Sequence, residues 1–242
     1  MIQLSDLHSP QGQGLMTGMM ELNDANVASG SDRAVTGEAG HASTSTGHTR
    51  RRLASDALHV AGRPLDASLG DFWAWMGSDL LHNAFRGQLA EYLVAQALGC
   101  HTSTRPGWNE YDLLTPDGIR LEVKSSAYVQ SWQQDRHSSP RFSIRAACRY
   151  GEHGREDTPK RHAAVYVFAL LHHRERSSID PLDLAQWTFY VLPTTTLDRA
   201  CSGQKMISLG ALKTLGAAAC GFEDLAAHVR SSAQQEDVFC GP

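Results

Sequence analysis

The sequence lacks the features that would place it at once in a familiar class of protein. Its 242 residues contain no run of 18 or more apolar residues, and its N-terminus lacks the basic-then-apolar order of a secretory signal. The five cysteines are scattered and include no CxxC pair, so we expect reduced thiols in a cytoplasmic protein rather than disulfides or a zinc site. The formal net charge is only −4, so attraction to nucleic acid would need a local basic patch. The sequence matches no nucleophile elbow, phosphate loop, HExxH or dinucleotide-binding pattern.

The first 66 residues differ in composition from the rest of the chain. They are rich in Gly, Ser, Thr, Ala and His, with few aliphatic residues and no sustained periodicity. Such a segment buries too little apolar surface to offset the entropy lost on ordering, so residues 1–66 are predicted to be a flexible low-complexity tail. A short helix near 53–60 is the one element expected there, and Arg50–Arg52 are interpreted as a solvated linker rather than a nucleic-acid contact.

Residues 67–242 are predicted to form one α/β domain. Apolar spacing over 68–99 indicates a helix that is broken near Gly77 and ends at Gly99. Its aromatic residues Phe72, Trp73 and Trp75 are interpreted as core or interface anchors. Later segments predict strands and then helices, namely strands over 141–147, 162–171 and 186–193, and helices over 196–200, 209–215 and 222–234. This order predicts a mixed central β-sheet flanked by helices.

The stretch EYDLLTPDGIRLEVKSSAY, residues 110–128, predicts a β-hairpin of defined register. Pro116 and Asp117 suit the centre of a type I turn, and Gly118 suits the following position with positive φ. This three-residue loop closes Thr115 onto Ile119, so paired residue numbers sum to 234. A two-residue Asp-Gly turn would shift the register by one, and the proline argues against it.

In that register Asp112 lies directly opposite Glu122. Lys124 follows Glu122 by two positions and shares its face, while Leu121 and Val123 point into the opposite layer. Two opposed carboxylates are destabilising unless a cation neutralises them. A hard divalent cation such as Mg²⁺ would do so with oxygen ligands, and could then assist phosphodiester hydrolysis. The alternative is an exposed hairpin face that carries an ordinary solvated salt bridge.

Glu91 favours the metal site over that alternative. It lies on an otherwise apolar part of the helix before the hairpin, where an unpartnered carboxylate would be costly. Gly87 and Ala95, four residues away on either side, would let the helix approach a sheet closely. The competing interpretation is a helix-surface glutamate paired with Arg86 or a lysine.

Together, Glu91, Asp112 and the Glu122-Val123-Lys124 triplet resemble the PD-(D/E)xK nuclease superfamily, whose fold is restriction-endonuclease-like. The resemblance covers residues 70–195, and Tyr111 stands where a proline usually precedes the first acid. It implies a sheet whose central hairpin carries the catalytic acids.

The resemblance also implies roles for single residues. Asp112, Glu122 and the Val123 carbonyl would bind Mg²⁺ or Mn²⁺, with Glu91 as the matching acid of the first helix and Lys124 as the catalytic lysine. Gln130 resembles an additional polar residue that some members place after the lysine, although a polar residue at the start of a helix is commonplace.

A basic segment follows the hairpin. Between residues 136 and 162 there are seven Lys or Arg against three acids. Positive charge near a metal site suits a phosphate backbone, although a solvated charged loop is an equally good interpretation. The candidate nucleic-acid-binding residues are Arg136, Arg141, Arg145, Arg149, Lys160 and Arg161.

The resulting hypothesis is a cytoplasmic, Mg²⁺-dependent DNA endonuclease with a role in restriction or defence. Double-stranded DNA is the expected substrate, and a homodimer would supply one site for each strand. Two alternatives stay open at this point: a non-catalytic nucleic-acid-binding module that retains the fold, and a structural protein whose acids are incidental. No membrane partner is expected.

Overall fold

The computed structural model of the chain describes residues 50–239, apart from 102–103, 106–109, 149, 152–153 and 156–157. Residues 1–49 of the predicted tail lie outside the described residues, so the division into a tail over 1–66 and a domain over 67–242 stays a prediction. Within the described residues, no helix is long and apolar enough to cross a membrane. The four cysteines described there, namely Cys100, Cys148, Cys201 and Cys220, form no disulfide with one another.

The first elements form a small hairpin and two helices. They are β1 (Ala57–Val60), β2 (Arg63–Ser68), α1 (Leu69–Gly77) and α2 (Asn83–Ala97). The helix break predicted near Gly77 and the helix end at Gly99 are confirmed. The short helix predicted near 53–60 is wrong, because Ala61 and Gly62 both have positive φ and form a tight hairpin turn.

Helix α1 begins with a capping box, in which the Ser68 and Asp71 side chains each accept a bond from the other's backbone N–H. It contains no buried residue. Trp75 is 84% exposed, and Phe72 and Trp73 are each more than two-fifths exposed. The interpretation of these aromatic residues as core anchors is therefore wrong, and a role at an interface stays a prediction.

The remaining elements build the sheet and its cover. Strands are β3 (Leu113–Leu114), β4 (Arg120–Ala127), β5 (Arg141–Ser143), β6 (Tyr150–Gly151), β7 (Gly154–Arg155), β8 (Val165–Leu171), β9 (Trp187–Pro193), β10 (Met206–Ser208) and β11 (Ala218–Cys220). Helices are α3 (Thr194–Ala200), α4 (Leu209–Thr214) and α5 (Leu225–Phe239). The strand predicted over 141–147 is shorter than expected, with only an isolated bridge from Ala147 to Lys160 beyond it.

The central sheet has five strands in the order β11-β9-β8-β4-β3. Strands β4 and β8 pair in parallel, and every other neighbouring pair in this sheet is antiparallel. A single strand cannot pair its own backbone N–H and C=O groups, so neighbouring strands supply their hydrogen-bond partners. The fully buried β8 lies at the centre of the sheet. The predicted mixed sheet is confirmed.

The alternation of side chains along β8 divides the core into two layers. Val165, Val167 and Ala169 join the layer beneath α2 and α5, where α2 packs on β4. Tyr166 and Phe168 join the opposite layer, which α3, α4 and the β5–β10 ribbon cover. Helices therefore flank both faces of the sheet, as predicted.

Candidate active site

The hairpin between β3 and β4 has the predicted register. Leu113 pairs with Leu121, so the paired numbers sum to 234. The Gly118 N–H donates to the Thr115 carbonyl at 2.9 Å, and Gly118 has a φ of 87°. The Thr115 N–H in turn donates to the Ile119 carbonyl at 3.0 Å. The three-residue loop with a glycine bulge is thus confirmed, and it places Asp112 beside Glu122.

Asp112, Glu122 and Lys124 form one charged cluster. The Lys124 Nζ lies 2.5 Å from Glu122 Oε1 and 3.7 Å from Asp112 Oδ2. Asp112 Oδ2 also accepts the Val123 N–H at 2.8 Å, so strand β4 anchors this carboxylate directly. The three charged side chains are only 18%, 21% and 27% exposed for Asp112, Glu122 and Lys124. Such burial does not fit an ordinary exposed salt bridge, for which desolvation is negligible.

The electrostatics of the cluster follow from its burial and its excess of acids. Burial raises the pKa of Glu122, Asp112 adds to the rise, and Lys124 opposes it. Burial opposes the charge on Lys124, but Glu122 and Asp112 together hold its pKa above the ordinary value. Burial raises the pKa of Tyr166, which pairs with Glu122 on the neighbouring strand, and Glu122 raises it further. One ammonium therefore faces two carboxyl groups.

Glu91 lies on α2 beside this cluster, and Arg105 is its partner. Both Arg105 Nε and Nη2 donate to the Glu91 carboxylate, the second at 2.9 Å. The side chain of Glu91 is only 13% exposed. The charge on Glu91 contributes to the raised pKa values of Glu122 and Lys124, so the three acids share one electrostatic environment. The alternative partners considered from the sequence, Arg86 or a lysine, are wrong.

The carboxylates do not converge on a single point. Among the described residues, no group of three or more His, Cys, Asp or Glu side chains is arranged to hold a metal ion. Lys124 lies against both Asp112 and Glu122, and Arg105 forms an ion pair with Glu91. The donor chemistry still suits a hard cation, because paired carboxylate oxygens are ligands that Mg²⁺ accepts alongside water and phosphate. The predicted metal ligands therefore stay predictions.

Gln130 follows β4 in a loop rather than at the start of a helix, so that part of the prediction is wrong. The residue is 6% exposed. Its Nε2 donates to the Ala127 carbonyl at 2.8 Å, and its Oε1 accepts from Arg86 Nη1 at 3.2 Å. The Gln130 N–H donates to the side-chain Oε1 of Gln134 at 2.7 Å. Gln130 is therefore a fixed, buried amide that contacts Arg86.

Comparison with known families gives this geometry its context. The family described as bacteriophage T4 endonuclease IV matches residues 76–202 of the chain. The chain belongs to this family. The matched segment runs from the end of α1 to just beyond α3 and contains every candidate catalytic residue. The family is a nuclease family, which confirms that part of the sequence-based resemblance; membership of the PD-(D/E)xK superfamily in particular stays a prediction.

Other comparisons add little to the T4 endonuclease IV assignment. No curated protein matches the chain. A solved structure described as a bacterial homing endonuclease, I-Ssp6803I, is similar over 52% of this chain and 76% of its own, with 19% identity and a TM-score of 0.29. A TM-score this low does not establish a shared fold.

In this T4 endonuclease IV family member, Lys124 of the charged cluster lines an open cleft of about 650 Å³, and its neighbour Val123 lines the cleft as well. Cationic side chains line the cleft together with Glu91 and Gln130, namely Arg86, Arg105, Lys124 and Arg141. A second cavity of about 510 Å³ shares Glu91 and Arg105 with the cleft, and Arg50–Arg52 and Trp73 line it as well. The three arginines interpreted as a solvated linker thus lie near the site.

The predicted nucleic-acid-binding residues fall into separate groups. Arg141 is exposed and lines the cleft. Arg145 and Lys160 are also exposed, and they line a different cavity of about 810 Å³ together with Lys205. Arg136 is exposed in a third place, beside Arg174 and Arg176. Arg149 lies outside the described residues.

Arg161 differs from these exposed residues. Its side chain is only 4% exposed and forms an ion pair with Asp198. It also donates to the Ile144 carbonyl at 2.9 Å and to the Cys201 carbonyl at 3.3 Å. These contacts connect α3 to the end of β5, so the Arg161 side chain stabilises the fold. Its predicted contact with nucleic acid is untested.

Sequence reasoning missed two residues of the site, Arg86 and Arg105. Arg105 lies in a loop 14 residues after Glu91, where no periodicity links the two. Arg86 appeared only as a surface partner for Glu91, yet it is 4% exposed. The available signal was an arginine in the first turn of a helix, where positive charge opposes the helix dipole.

Proposed function

We propose that the chain is a divalent-metal-dependent endonuclease that hydrolyses phosphodiester bonds in DNA. The observation that carries the proposal is the largely buried cluster of Asp112, Glu122 and Lys124, whose lysine lines a cationic cleft and binds both acids. Buried carboxylates that share one ammonium are costly as mere structure, and perturbed ionisable groups in a cleft are characteristic of functional sites. Membership of an endonuclease family supports the reaction class.

Asp112 and Glu122 would hold Mg²⁺ or Mn²⁺, with the Val123 carbonyl as a further ligand. The Val123 N–H already points to Asp112, and the carbonyl of the same strand residue points to the same side. When bound, the ion would supply charge to polarise the phosphoryl oxygen and acidify water. The order of acids along helix and hairpin supports membership of the PD-(D/E)xK superfamily.

Lys124 and Glu91 would act on the reacting groups from the protein side. The Lys124 ammonium, with its pKa above the ordinary value, is protonated at neutral pH. It would orient the attacking water and offset negative charge that develops at phosphorus. Glu91, fixed by two bonds from Arg105, would receive a water in the same cleft.

The substrate is proposed to be double-stranded DNA, approached through the phosphate backbone. The exposed Arg141 in the cleft and the exposed Arg145 and Lys160 beyond it would supply the attraction, which makes binding salt-dependent. A homodimer would place one site on each strand. A role in restriction or defence and a cytoplasmic location stay predictions.

One observation favours a second candidate, a nucleic-acid-binding module that does not cut. Within the part of the chain that the structure describes, no three acidic, histidine or cysteine side chains form a metal-binding group. Lys124 satisfies both hairpin carboxylates without an ion. This candidate predicts salt-dependent binding of DNA with no cleavage and no metal uptake.

The test compares the full chain with Glu122→Gln on duplex, single-stranded and branched DNA, with Mg²⁺ or Mn²⁺ and with EDTA. We expect metal-dependent cleavage by the wild type and its loss in Glu122→Gln. Glu223→Gln is the matched control, since it makes the same chemical change at an exposed position outside the cleft. Identical behaviour of wild type and Glu122→Gln on all substrates would exclude the proposal.

A thermal-shift measurement separates the two candidates without a substrate. A metal that binds only the folded protein must raise its melting temperature. We expect Mn²⁺ to raise the melting temperature of the wild type and to have little effect on Asp112→Ala. The non-catalytic module predicts no Mn²⁺ effect on either protein.

A further inference from the structure

Arg86 is a buried cation in the first turns of α2, at the floor of the cleft. It is 4% exposed, yet it lines the same cleft as Glu91 and Lys124. Burial lowers its pKa to about 10, so it keeps its charge at neutral pH. A full positive charge is therefore held at the base of the proposed active site.

The acceptors that surround this guanidinium are all uncharged. Its Nε donates to Ser125 Oγ at 3.1 Å, and its Nη2 donates to Asn83 Oδ1 at 2.7 Å. Its Nη1 donates to the Leu81 carbonyl at 3.0 Å and to Gln130 Oε1 at 3.2 Å. Among the described residues, no carboxylate forms an ion pair with Arg86, and desolvation alone shifts its pKa.

Such a charge is expensive to bury. Removing an ion from water costs several kcal/mol even after relaxation, and neutral hydrogen bonds recover only part of it. The N-terminus of α2 adds its own positive potential, and the first turn of α2 carries no acidic residue to offset it. Arg161 shows the usual solution, since its equally buried side chain is paired with Asp198.

We propose that Arg86 is a phosphate-binding residue, and that a phosphate group of the substrate supplies the negative charge that pairs with it. The inference rests on the proposed function for the choice of a phosphodiester as the ligand. A guanidinium presents two parallel donors that match two phosphate oxygens, and charged acceptors form stronger bonds than the present neutral ones. The parallel donors of one edge are Nε and Nη2, so phosphate oxygens would replace or share the bonds that Ser125 and Asn83 now accept.

Gln130 acts as a positioning residue for Arg86. Its Nε2 is bound to the Ala127 carbonyl, which turns its Oε1 towards Arg86. Gln130 thereby holds the guanidinium in the cleft without neutralising it. An acidic residue at this position would compensate the charge and remove the anion site.

A purely structural role would also fit a side chain that ties α2 to β4 and the following loop. Arg176 provides the matched control, because its Nη2 donates to the Gln130 and Trp132 carbonyls of the same loop. Arg176 lies outside the cleft lining. Its replacement loosens the loop without removing the cleft cation.

The experiment measures binding of inorganic phosphate to the full chain by calorimetry in EDTA, which removes divalent metals. We expect saturable binding that weakens at least about tenfold in Arg86→Met, as expected for loss of a charged bidentate contact. Arg86→Lys retains the charge and should bind better than Arg86→Met, and Arg176→Met should bind as the wild type does. Wild-type affinity in Arg86→Met, or equal losses in Arg86→Met and Arg176→Met, would overturn the proposal.

A second measurement covers the case in which Arg86→Met does not fold. The arginine Nε–Hε signals of the wild type are followed by NMR during a phosphate titration, and the spectrum of Arg86→Lys identifies the Arg86 signal. We expect this signal to shift with the same saturation curve as the calorimetry. A stationary Arg86 signal during phosphate binding would contradict the proposal.

DNA cleavage separates this inference from the proposed function. If the wild type binds phosphate through Arg86 and cuts no DNA, the nuclease assignment fails and the anion site stands. If the wild type cuts DNA and Arg86→Lys and Arg86→Met retain its kcat/KM and phosphate affinity, the nuclease assignment stands and the anion site fails.

Discussion

The Nζ of Lys124 lies 2.5 Å from Oε1 of Glu122, two positions away on the same strand. Asp112 approaches the same ammonium from the other side of the hairpin, at 3.7 Å. The lysine therefore relieves repulsion between two partly buried acids as well as being the candidate catalytic cation. A substitution of Lys124 therefore tests its contribution to stability together with its candidate role in catalysis.

Lys124→Met should lower the free energy of unfolding by about 1–3 kcal/mol in metal-free buffer, because two carboxylates lose their shared partner in a largely buried site. Adding Glu122→Gln to Lys124→Met should recover part of this loss, since only one negative charge then remains. Urea unfolding of the wild type, both single variants and the double variant gives the coupling free energy.

Lys213→Met is the control for that cycle. Lys213 is exposed and lies 6.0 Å from the ring centre of Tyr190, so its replacement should change stability by less than about 0.5 kcal/mol. Strictly additive effects of Lys124→Met and Glu122→Gln would contradict the shared-ammonium arrangement.

The raised pKa of Glu122 predicts a pH dependence of stability. The folded protein binds this proton more tightly than the unfolded chain, so the carboxyl stabilises the fold below its ordinary pKa of 4.5. This contribution is lost as the pH rises through the folded-state pKa. The stability of the wild type relative to Glu122→Gln should therefore fall as the pH rises above 4.5, as measured by urea unfolding in EDTA. A pH-independent difference would show that burial does not control this group.

Arg141 and Arg161 should respond differently to truncation, although both were predicted to bind nucleic acid. Arg141→Ala should weaken DNA binding and lower the slope of log affinity against log salt by about one, with little change in stability. Arg161→Met should instead cost about 1–3 kcal/mol of stability, because it breaks an ion pair and two bonds to backbone carbonyls. Fluorescence anisotropy over a salt series and thermal unfolding measure the two effects. If Arg141→Ala lowered stability and Arg161→Met weakened DNA binding, the roles assigned to the two residues would be wrong.

Gly87→Ala should stabilise the protein by about 0.5–1 kcal/mol, because Gly87 is inside helix α2 and alanine is the better helix former. Apart from its two chain neighbours and the backbone of its own helix, a Cβ at Gly87 would meet no atom within 4 Å, so the close approach to a sheet expected from the sequence does not explain this glycine. Gly118→Ala is the contrasting variant, because its φ of 87° strains an alanine, and it should destabilise by about 1 kcal/mol. Thermal unfolding of both variants checks the contrast, which equal effects would refute.

Local chemistry made the hairpin predictable. Pro116, Asp117 and Gly118 select one turn type, and the period-two alternation of a strand then assigns each side chain to a face. The helix break and the buried strand β8 were predictable for the same reason, because backbone preference and apolar periodicity depend on residues that are close together in the sequence. The short β1–β2 hairpin escaped prediction because its four-residue strand carries no clear pattern.

The sequence by itself determined the hairpin register, the acids and lysine that share one of its faces, and the mixed sheet that holds them. Only the tertiary structure decided that Arg105 binds Glu91, that Arg161 is buried while Arg141 is exposed, and that Arg86 lies under the cleft without a counter-charge. The physical reason is the range of each interaction. Turn geometry and side-chain alternation act between neighbours along the chain, whereas burial and charge pairing depend on which distant segments pack together.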